Sequence, residues 1–218
     1  MIDLHTHTFF SDGELVPAEL VRRAAVAGYR ALAITDHADQ SNIAWLLSKL
    51  VGVVDDIGRS NNMQVLAGVE LTHVAPHMIA DTAKLARDNG AEIIVVHGET
   101  IVEPVMEGTN RAAIEAGVDI LSHPGLIAEE DVKLAAEKGV YLEITTRKGH
   151  SLTNGHVAKL ALKYGAKVVI DNDAHGPGDL VSLEMARKVA LGAGMTEELF
   201  QQARKNSAAL VTKVKGKA

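Results

Sequence analysis

Six short apolar runs in this chain each finish on histidine, aspartate or glutamate, and that repetition limits the fold more than any other feature. The first is Ile2-Asp3-Leu4-His5-Thr6-His7; the others run from Leu32 to His37, Val65 to Glu70, Ile93 to His97, Ile120 to His123 and Val168 to His175. Side chains alternate along an extended chain, so His5 and His7 fall on one side, a spacing suited to gripping a metal ion. Alone, one His-x-His near a chain start is as readily chance. Its recurrence argues that one end of a parallel sheet is loaded with ligands, rather than that each histidine is a separate hydrogen-bonded core residue.

Between the runs the apolar spacing changes to the 3.6-residue period of amphipathic helices, which gives seven βα units. After the first strand, the others are expected at Ala31 to Asp36, Val65 to Leu71, Glu92 to His97, Asp119 to Ser122, Val140 to Thr145 and Lys167 to Asp171. Of these, the run at Val140 to Thr145 alone ends without a clear metal ligand. Helices are expected from Pro17 to Gly28, Asn42 to Ser60, Pro76 to Gly90, Asn110 to Ala116, Glu129 to Lys138, Asn154 to Tyr164, Val181 to Ala190 and Thr196 to Arg204. A short helix from Asn206 to Lys215 then fades into a tail where Lys213, Lys215 and Lys217 read as a solvated end. Ligands leaving almost every strand imply a closed or nearly closed α/β barrel. A doubly wound open sheet would gather its site at one crevice. Proline and glycine are scattered rather than gathered into a linker, so residues 1–218 read as a single domain.

The absence of cysteine excludes thiolate nucleophiles and thiolate metal sites, leaving nitrogen and oxygen donors. A formal net charge of -6 argues against a nucleic-acid binder that works through general positive potential, while leaving a short nucleotide substrate open. Aromatic residues make up 3% of the chain, too few to suggest a base-stacking platform, so the core must be aliphatic, and Trp45 reads as helix packing. No apolar stretch approaches the roughly 20 residues needed to span a bilayer, and no basic-then-apolar leader opens the chain. A cytoplasmic protein without a membrane partner is expected. Oligomeric state leaves no mark on the sequence.

Set in order, His5-Thr6-His7, Asp12-Gly13, Thr35-Asp36-His37, Gly68-Val69-Glu70, His97-Gly98-Glu99, Ser122-His123-Pro124 and Asp173-Ala174-His175 resemble the polymerase-and-histidinol-phosphatase (PHP) family. The closest-looking members are its stand-alone, histidinol-phosphatase-like proteins. The resemblance implies a distorted (β/α)7 TIM-like barrel with two to three divalent ions at the C-terminal strand ends. It assigns His5, His7, Glu70 and Asp173 to one ion, with Glu70 bridging to a second held by His97 and His123. The third would take Asp12, His37 and His175. Many relatives have histidine where this chain has Asp12, which implies a weaker site or a harder metal. An imidazole-rich donor set suits Zn, Mn or Fe and disfavours Mg or Ca alone. The implied reaction is hydrolysis of a small phosphomonoester by a metal-bridging hydroxide, with Glu70 and Asp173 at its centre.

Arg147 is the leading phosphate-binding candidate, because a guanidinium makes paired bonds to phosphoryl oxygens; the alternative is an exposed loop arginine. Lys148 and His150 share its loop. Arg111 could face substrate or pair with Glu107 or Glu115. His73 could contact substrate or donate a proton. Asp36 and Glu99 flank ligands and could orient imidazoles, Asp36 could equally point away from the site, and Glu99 or Glu103 could meet a cationic leaving group or face solvent. His77 and His156 read as surface residues. The rival readings are a PHP-type nucleotide phosphodiesterase or exonuclease, an amidohydrolase-type or TatD-like barrel, and a metal-stabilised scaffold without catalysis. Amidohydrolase barrels often end strand four in a carbamylated lysine, where this chain has His97.

Overall fold

Parallel pairing organises the structure, a computed structural model that describes residues 1–216. Strands β1 (Ile2–Asp3), β2 (Ala31–Ile34), β3 (His37–Ala38), β4 (Gln64–Leu71), β5 (Ile93–His97), β6 (Ile120–Ser122), β7 (Tyr141–Thr145) and β8 (Val168–Asp171) alternate with helices, except that β3 follows β2 directly. These are α1 (Pro17–Val26), α2 (Ile43–Leu50), α3 (Val53–Asn61), α4 (Ile79–Asp88), α5 (Thr109–Ala116), α6 (Glu129–Lys138), α7 (Asn154–Tyr164), α8 (Leu183–Gly192) and α9 (Glu197–Lys215). Hydrogen-bonded neighbours follow the order β1-β2-β4-β5-β6-β7-β8, with the short β3 beside β4. This is a nearly closed barrel of seven parallel strands, as the seven βα units require.

The wall between β1 and β8 is stitched just beyond the two strands. Thr6 bridges Ala174 in parallel fashion, the His7 amide donates to the Ala174 carbonyl at 2.8 Å, and the Leu4 amide donates to Asp171 Oδ1 at 2.7 Å. The closure therefore forms at the level where the first and last ligand-bearing segments meet.

Two long helical expectations change. The stretch from Asn42 to Ser60 is two helices, because Gly52 takes φ +86 between them. An apolar pattern crosses the break since each half buries its own face, Leu46, Leu47 and Leu50 on α2 and Val54 on α3. At the C-terminus the two expected helices are one. Asn206 looks like a helix end in sequence, yet it is buried mid-helix, donating from Nδ2 to the Val168 carbonyl at 2.8 Å and accepting from Gln202 at 3.0 Å. Trp45 is a correction too: it is half exposed and meets Phe10 edge-on with ring centres 5.4 Å apart.

Helix α9 closes the end of the barrel away from the ligands. Leu210 and Val211 join Leu4, Ala33, Leu66, Val95, Ile120 and Val169 in one buried cluster. Lys215 is anchored rather than solvated: its Nζ lies 2.6 Å from Glu92 Oε1 and 2.7 Å from Asp55 Oδ1. Lys213 reaches Asp119 Oδ1 at 3.5 Å, and Lys217 falls outside the described residues. Leu210→Ala should cost about 2–5 kcal/mol, the range for removing a buried leucine side chain, read as a lower urea midpoint with an unchanged m-value. No helix among the described residues is long and apolar enough to cross a membrane.

Candidate metal centre

Strand register assembles the centre. Parallel pairing of β3 with β4 sets His37 beside Glu70, pairing of β5 with β6 sets His97 beside Ser122, and the Thr6–Ala174 bridge joins the His5–His7 segment to Asp173 and His175. Eight of the ten histidines meet here: His5, His7, His37, His73, His97, His123, His150 and His175. Glu70, fully buried, is the hub. Its Oε1 lies 3.1 Å from His5 Nε2 and 3.7 Å from His123 Nε2, and its Oε2 lies 2.8 Å from His37 Nδ1 and 3.8 Å from His7 Nε2. Asp173 faces it, with Oδ1 3.2 Å from His7 Nε2 and Oδ2 3.7 Å from His123 Nε2.

Four overlapping groups could each hold an ion, with ligand atoms mutually within 4.8 Å: His5, His7 and Glu70; His5, His123 and Asp173; Glu70, His97 and His123; and His7, Asp12, His37 and His175. His7 thus reaches both the first group and the Asp12 group. The donors fit cations in a second way. His5 Nε2, both ring nitrogens of His7 and His123 Nδ1 are buried without a hydrogen-bond partner, and leaving such groups unmatched costs free energy that a bound cation would offset.

Protonation follows local charge. Burial lowers the His7 pKa to about 4, and burial with the neighbouring His97 lowers that of His123, so both imidazoles are neutral at pH 7 with lone pairs available. At His5 burial opposes charge, but Glu70, Glu143 and Asp173 raise its pKa. At His37 burial is likewise outweighed, by hydrogen bonds to Asp12 and Glu70, and the pKa reaches about 10. Glu70 and Asp173 stay ionised, since burial is overcome in both by the His5 charge and by the other imidazoles around them.

Glu143, which the sequence reading passed over, supplies the contribution of β7. Its Oε2 lies 2.7 Å from His5 Nδ1, and both side chains are fully buried. The available signal was a lone acid inside an otherwise apolar strand, Tyr141-Leu142-Glu143-Ile144-Thr145. Glu143 fixes which nitrogen of His5 faces Glu70 and Asp173. Glu143→Gln should lower metal affinity or turnover about 10–100-fold, measured by metal titration beside steady-state kinetics.

Among the described residues Asp36 makes no hydrogen bond to an imidazole. It accepts from the Thr8 amide and hydroxyl, each at 2.7 Å, and from Ser11 Oγ at 2.6 Å, thereby shaping the loop that carries Asp12. Three site residues also hold left-handed backbone, His73 (φ 53), His123 (φ 24) and Asp173 (φ 52), a region that side chains other than glycine enter at a cost. Behind His97 and His123, a Cβ on Gly98 would lie 2.2 Å from the Ser122 carbonyl, and one on Gly125 1.8 Å from that of Glu99. Only glycine lets these two loops pack so closely.

Over the centre opens a cavity of about 240 Å³. Asp12, His37, His97, Asp173 and His175 form part of its wall; Thr72, His73, Glu103, Arg147 and His150 complete it. Arg147 stands beside Asp173, its Nη1 donating to the Asp173 carbonyl and to Asp179 Oδ2, each at 3.2 Å. Glu103 lies farther round, with Oε2 3.1 Å from His97 Nε2 and Oε1 3.4 Å from His150 Nε2. His150 also meets Thr100 Oγ1 at 2.8 Å.

Three expected substrate contacts lie outside this cavity. Glu99 and Asn110 exchange hydrogen bonds at 3.0 and 2.8 Å, capping the start of α5. Arg111 is bound to Glu115 and Asp131 on the surface. Lys148 is exposed and off the cavity wall. In sequence all three sit close to ligand-bearing positions, but the direction in which a loop side chain points is set by tertiary contacts. Of the histidines read as surface residues, His77 is exposed, whereas His156 is partly buried against the Ile127 carbonyl at 2.8 Å.

Known proteins resemble the chain both in sequence and in fold. The model of the family described as "PHP domain" matches residues 3–116. An uncharacterized protein of Methanocaldococcus jannaschii is 52% identical over 198 residues, 90% of this chain and 91% of that protein. A protein of Thermoanaerobacter named a probable phosphatase is 28% identical over 221 residues, 91% of this chain and 89% of its own. Among solved structures, a two-domain Bacteroides vulgatus protein described as containing a predicted PHP-like metal-dependent phosphoesterase superposes with a TM-score of 0.54 at 14% identity, covering 94% of this chain and 69% of that one.

Proposed function

The chain belongs to the PHP domain family, and from that premise we propose that it hydrolyses a small phosphomonoester whose leaving group carries a positive charge, as a histidinol phosphatase does. The observation that carries this reading is one cavity walled by both Arg147 and Glu103. A guanidinium beside Asp173 suits phosphoryl oxygens, and a carboxylate at the His97 and His150 side suits an ammonium or imidazolium.

His5, His7, Glu70 and Asp173 would hold one ion, Glu70, His97 and His123 a second, and Asp12, His37 and His175 a third, of the Zn, Mn or Fe kind. Such ions supply Lewis acidity and a nucleophile active at neutral pH. The chain's own residues do the rest. Glu143 and Thr72 orient His5 and His37 through contacts of 2.7 and 2.6 Å. Arg147, held against Asp179, offsets charge on the phosphoryl oxygens. His73 lines the same cavity, where its Nε2 can pass a proton to the departing oxygen. Glu103 orients the cationic leaving group, and Glu70 lies fully buried behind the cavity wall.

The test is phosphate release by metal-loaded protein from L-histidinol phosphate beside nucleoside monophosphates, short oligonucleotides and an aryl phosphate. The expected kcat/KM for histidinol phosphate is about 10⁴ M⁻¹s⁻¹ or above, with the others far lower. Glu103→Gln should raise KM for histidinol phosphate about tenfold, equivalent to roughly 1.4 kcal/mol, and leave the aryl phosphate nearly unchanged. Equal losses on both substrates would remove Glu103 from leaving-group recognition.

A further inference from the structure

A second cavity, of about 460 Å³, lies apart from the metal centre at the seam between β1 and β8. Ile2 of β1, Ile170 of β8, Leu183 of α8 and Phe200 of α9 give it apolar walls, and Arg30 and Arg204 line it as well. Six of the nine arginines pair with a carboxylate among the described residues, as Arg87 does with Asp119 and Arg187 with Glu197. Arg22, Arg30 and Arg204 do not, and two of those three meet here. Arg204 donates to Gln201 Oε1 at 2.7 Å and lies 6.0 Å above the Phe200 ring. Both guanidiniums also act on the Met1 amino group, whose pKa is lowered by burial, then by Arg204 and by Arg30. In a chain of net charge -6, two arginines with no carboxylate within ion-pair distance in one concavity of mixed polar and apolar lining are an anion-recognition arrangement.

We propose that this seam cavity binds a small organic anion, a carboxylate or a phosphate ester with an apolar body, at a site separate from the metal centre. Occupancy acts on the barrel where its wall is least continuous. Ile2 precedes His5 by three residues and Ile170 precedes Asp173 by three, so a ligand wedged between them steadies the two segments that carry His5, His7, Asp173 and His175. Binding at the seam and turnover at the centre are therefore coupled.

The experiment is thermal melting of the metal-loaded protein with phenylphosphonate, 4-phenylbutyrate and, as a control for ionic strength, sodium chloride. A saturable rise in Tm of about 3 °C or more with at least one organic anion is expected, from preferential binding to the folded state. Response to one probe and not the other names the ligand as phosphate-like or carboxylate-like. Arg30→Gln and Arg204→Gln should each weaken the apparent Kd about tenfold, the loss of one charge-assisted contact, with basal kcat unchanged. Ala208→Trp, which blocks the cavity while keeping both charges, should abolish the shift and covers the case in which an arginine variant folds poorly. No shift up to about 10 mM probe, well above a useful affinity, overturns the proposal. So does a shift that persists in all three variants, since that places the anion at the metal centre. Melting reads binding without turnover, so the result stands whatever the enzyme's substrate proves to be.

Discussion

Glu70→Gln should leave a folded barrel that has lost at least one equivalent of bound metal and on the order of 10³-fold or more in kcat, the scale for deleting a central electrostatic contact in a site that excludes water. Its two oxygens contact four histidines, His5 and His123 through Oε1 and His37 and His7 through Oε2, so no other side chain can take its place. The amide keeps the volume and one acceptor but removes the charge. Metal analysis, steady-state kinetics and far-UV circular dichroism on the same preparation separate the outcomes. Unchanged spectra with lost metal and turnover are expected; full activity in Glu70→Gln would remove the carboxylate from the reaction.

Chelation should have the second large effect, and its pH dependence carries a definite sign. In the metal-free protein His5 and His37 hold protons at pH 7, because nearby carboxylates raise their pKa against the opposing effect of burial. The ion held by His5 and the ion held by His37 each need that nitrogen neutral, so loading both sites should release about one proton apiece near pH 7, and the apparent affinity of each should rise by up to about one log unit per pH unit. The fold of the metal-free protein responds in the opposite direction. His37 titrates at about 10 when folded and near its ordinary value of 6.5 when unfolded, so its stabilisation is complete below about 6.5 and is lost as pH rises through 10. Raising the pH from 6.5 to 9 should therefore lower the Tm after EDTA treatment and widen the gap to the metal-loaded form. At ion concentrations about 1,000 times Kd that gap is worth about 4 kcal/mol, or roughly 8–16 °C for a chain of this size. Proton release measured by calorimetry in buffers of different ionisation enthalpy checks the count. Loss of turnover with an unchanged far-UV spectrum after EDTA would support catalysis over a scaffolding role.

Much of this was legible in the chain because both signals have a fixed period. Alternation put His5 and His7 on one side, and apolar runs ending in ligands gave the barrel its strands and marked its functional end. The break at Gly52 and the fusion of α9 through Asn206 were not legible, since each depends on what packs against the helix rather than on its own spacing. In the site, strand-borne residues were readable and loop-borne ones less so. A strand fixes side-chain direction by pairing, which put Glu70 beside His37. Loop direction depends on distant partners, so Glu99 turned to Asn110 while Glu103, four residues on, faced the cavity. Glu143 went unread for a different reason: a buried acid serving an imidazole donates no terminal ligand to its strand, and only its isolation among apolar neighbours betrays it.

The left-handed backbone at His123 and Asp173 bears on how such a protein can change. Each costs about 1–2 kcal/mol that glycine would not, so random mutagenesis selected for heat resistance alone in a chelating medium, where bound ions add no stability, would accept glycine at those two positions. Those substitutions would also delete an imidazole and a carboxylate from the metal centre. Laboratory evolution toward a tougher barrel thus has an open route to an inert one, and a selection that preserves the enzyme must read phosphate release in every round.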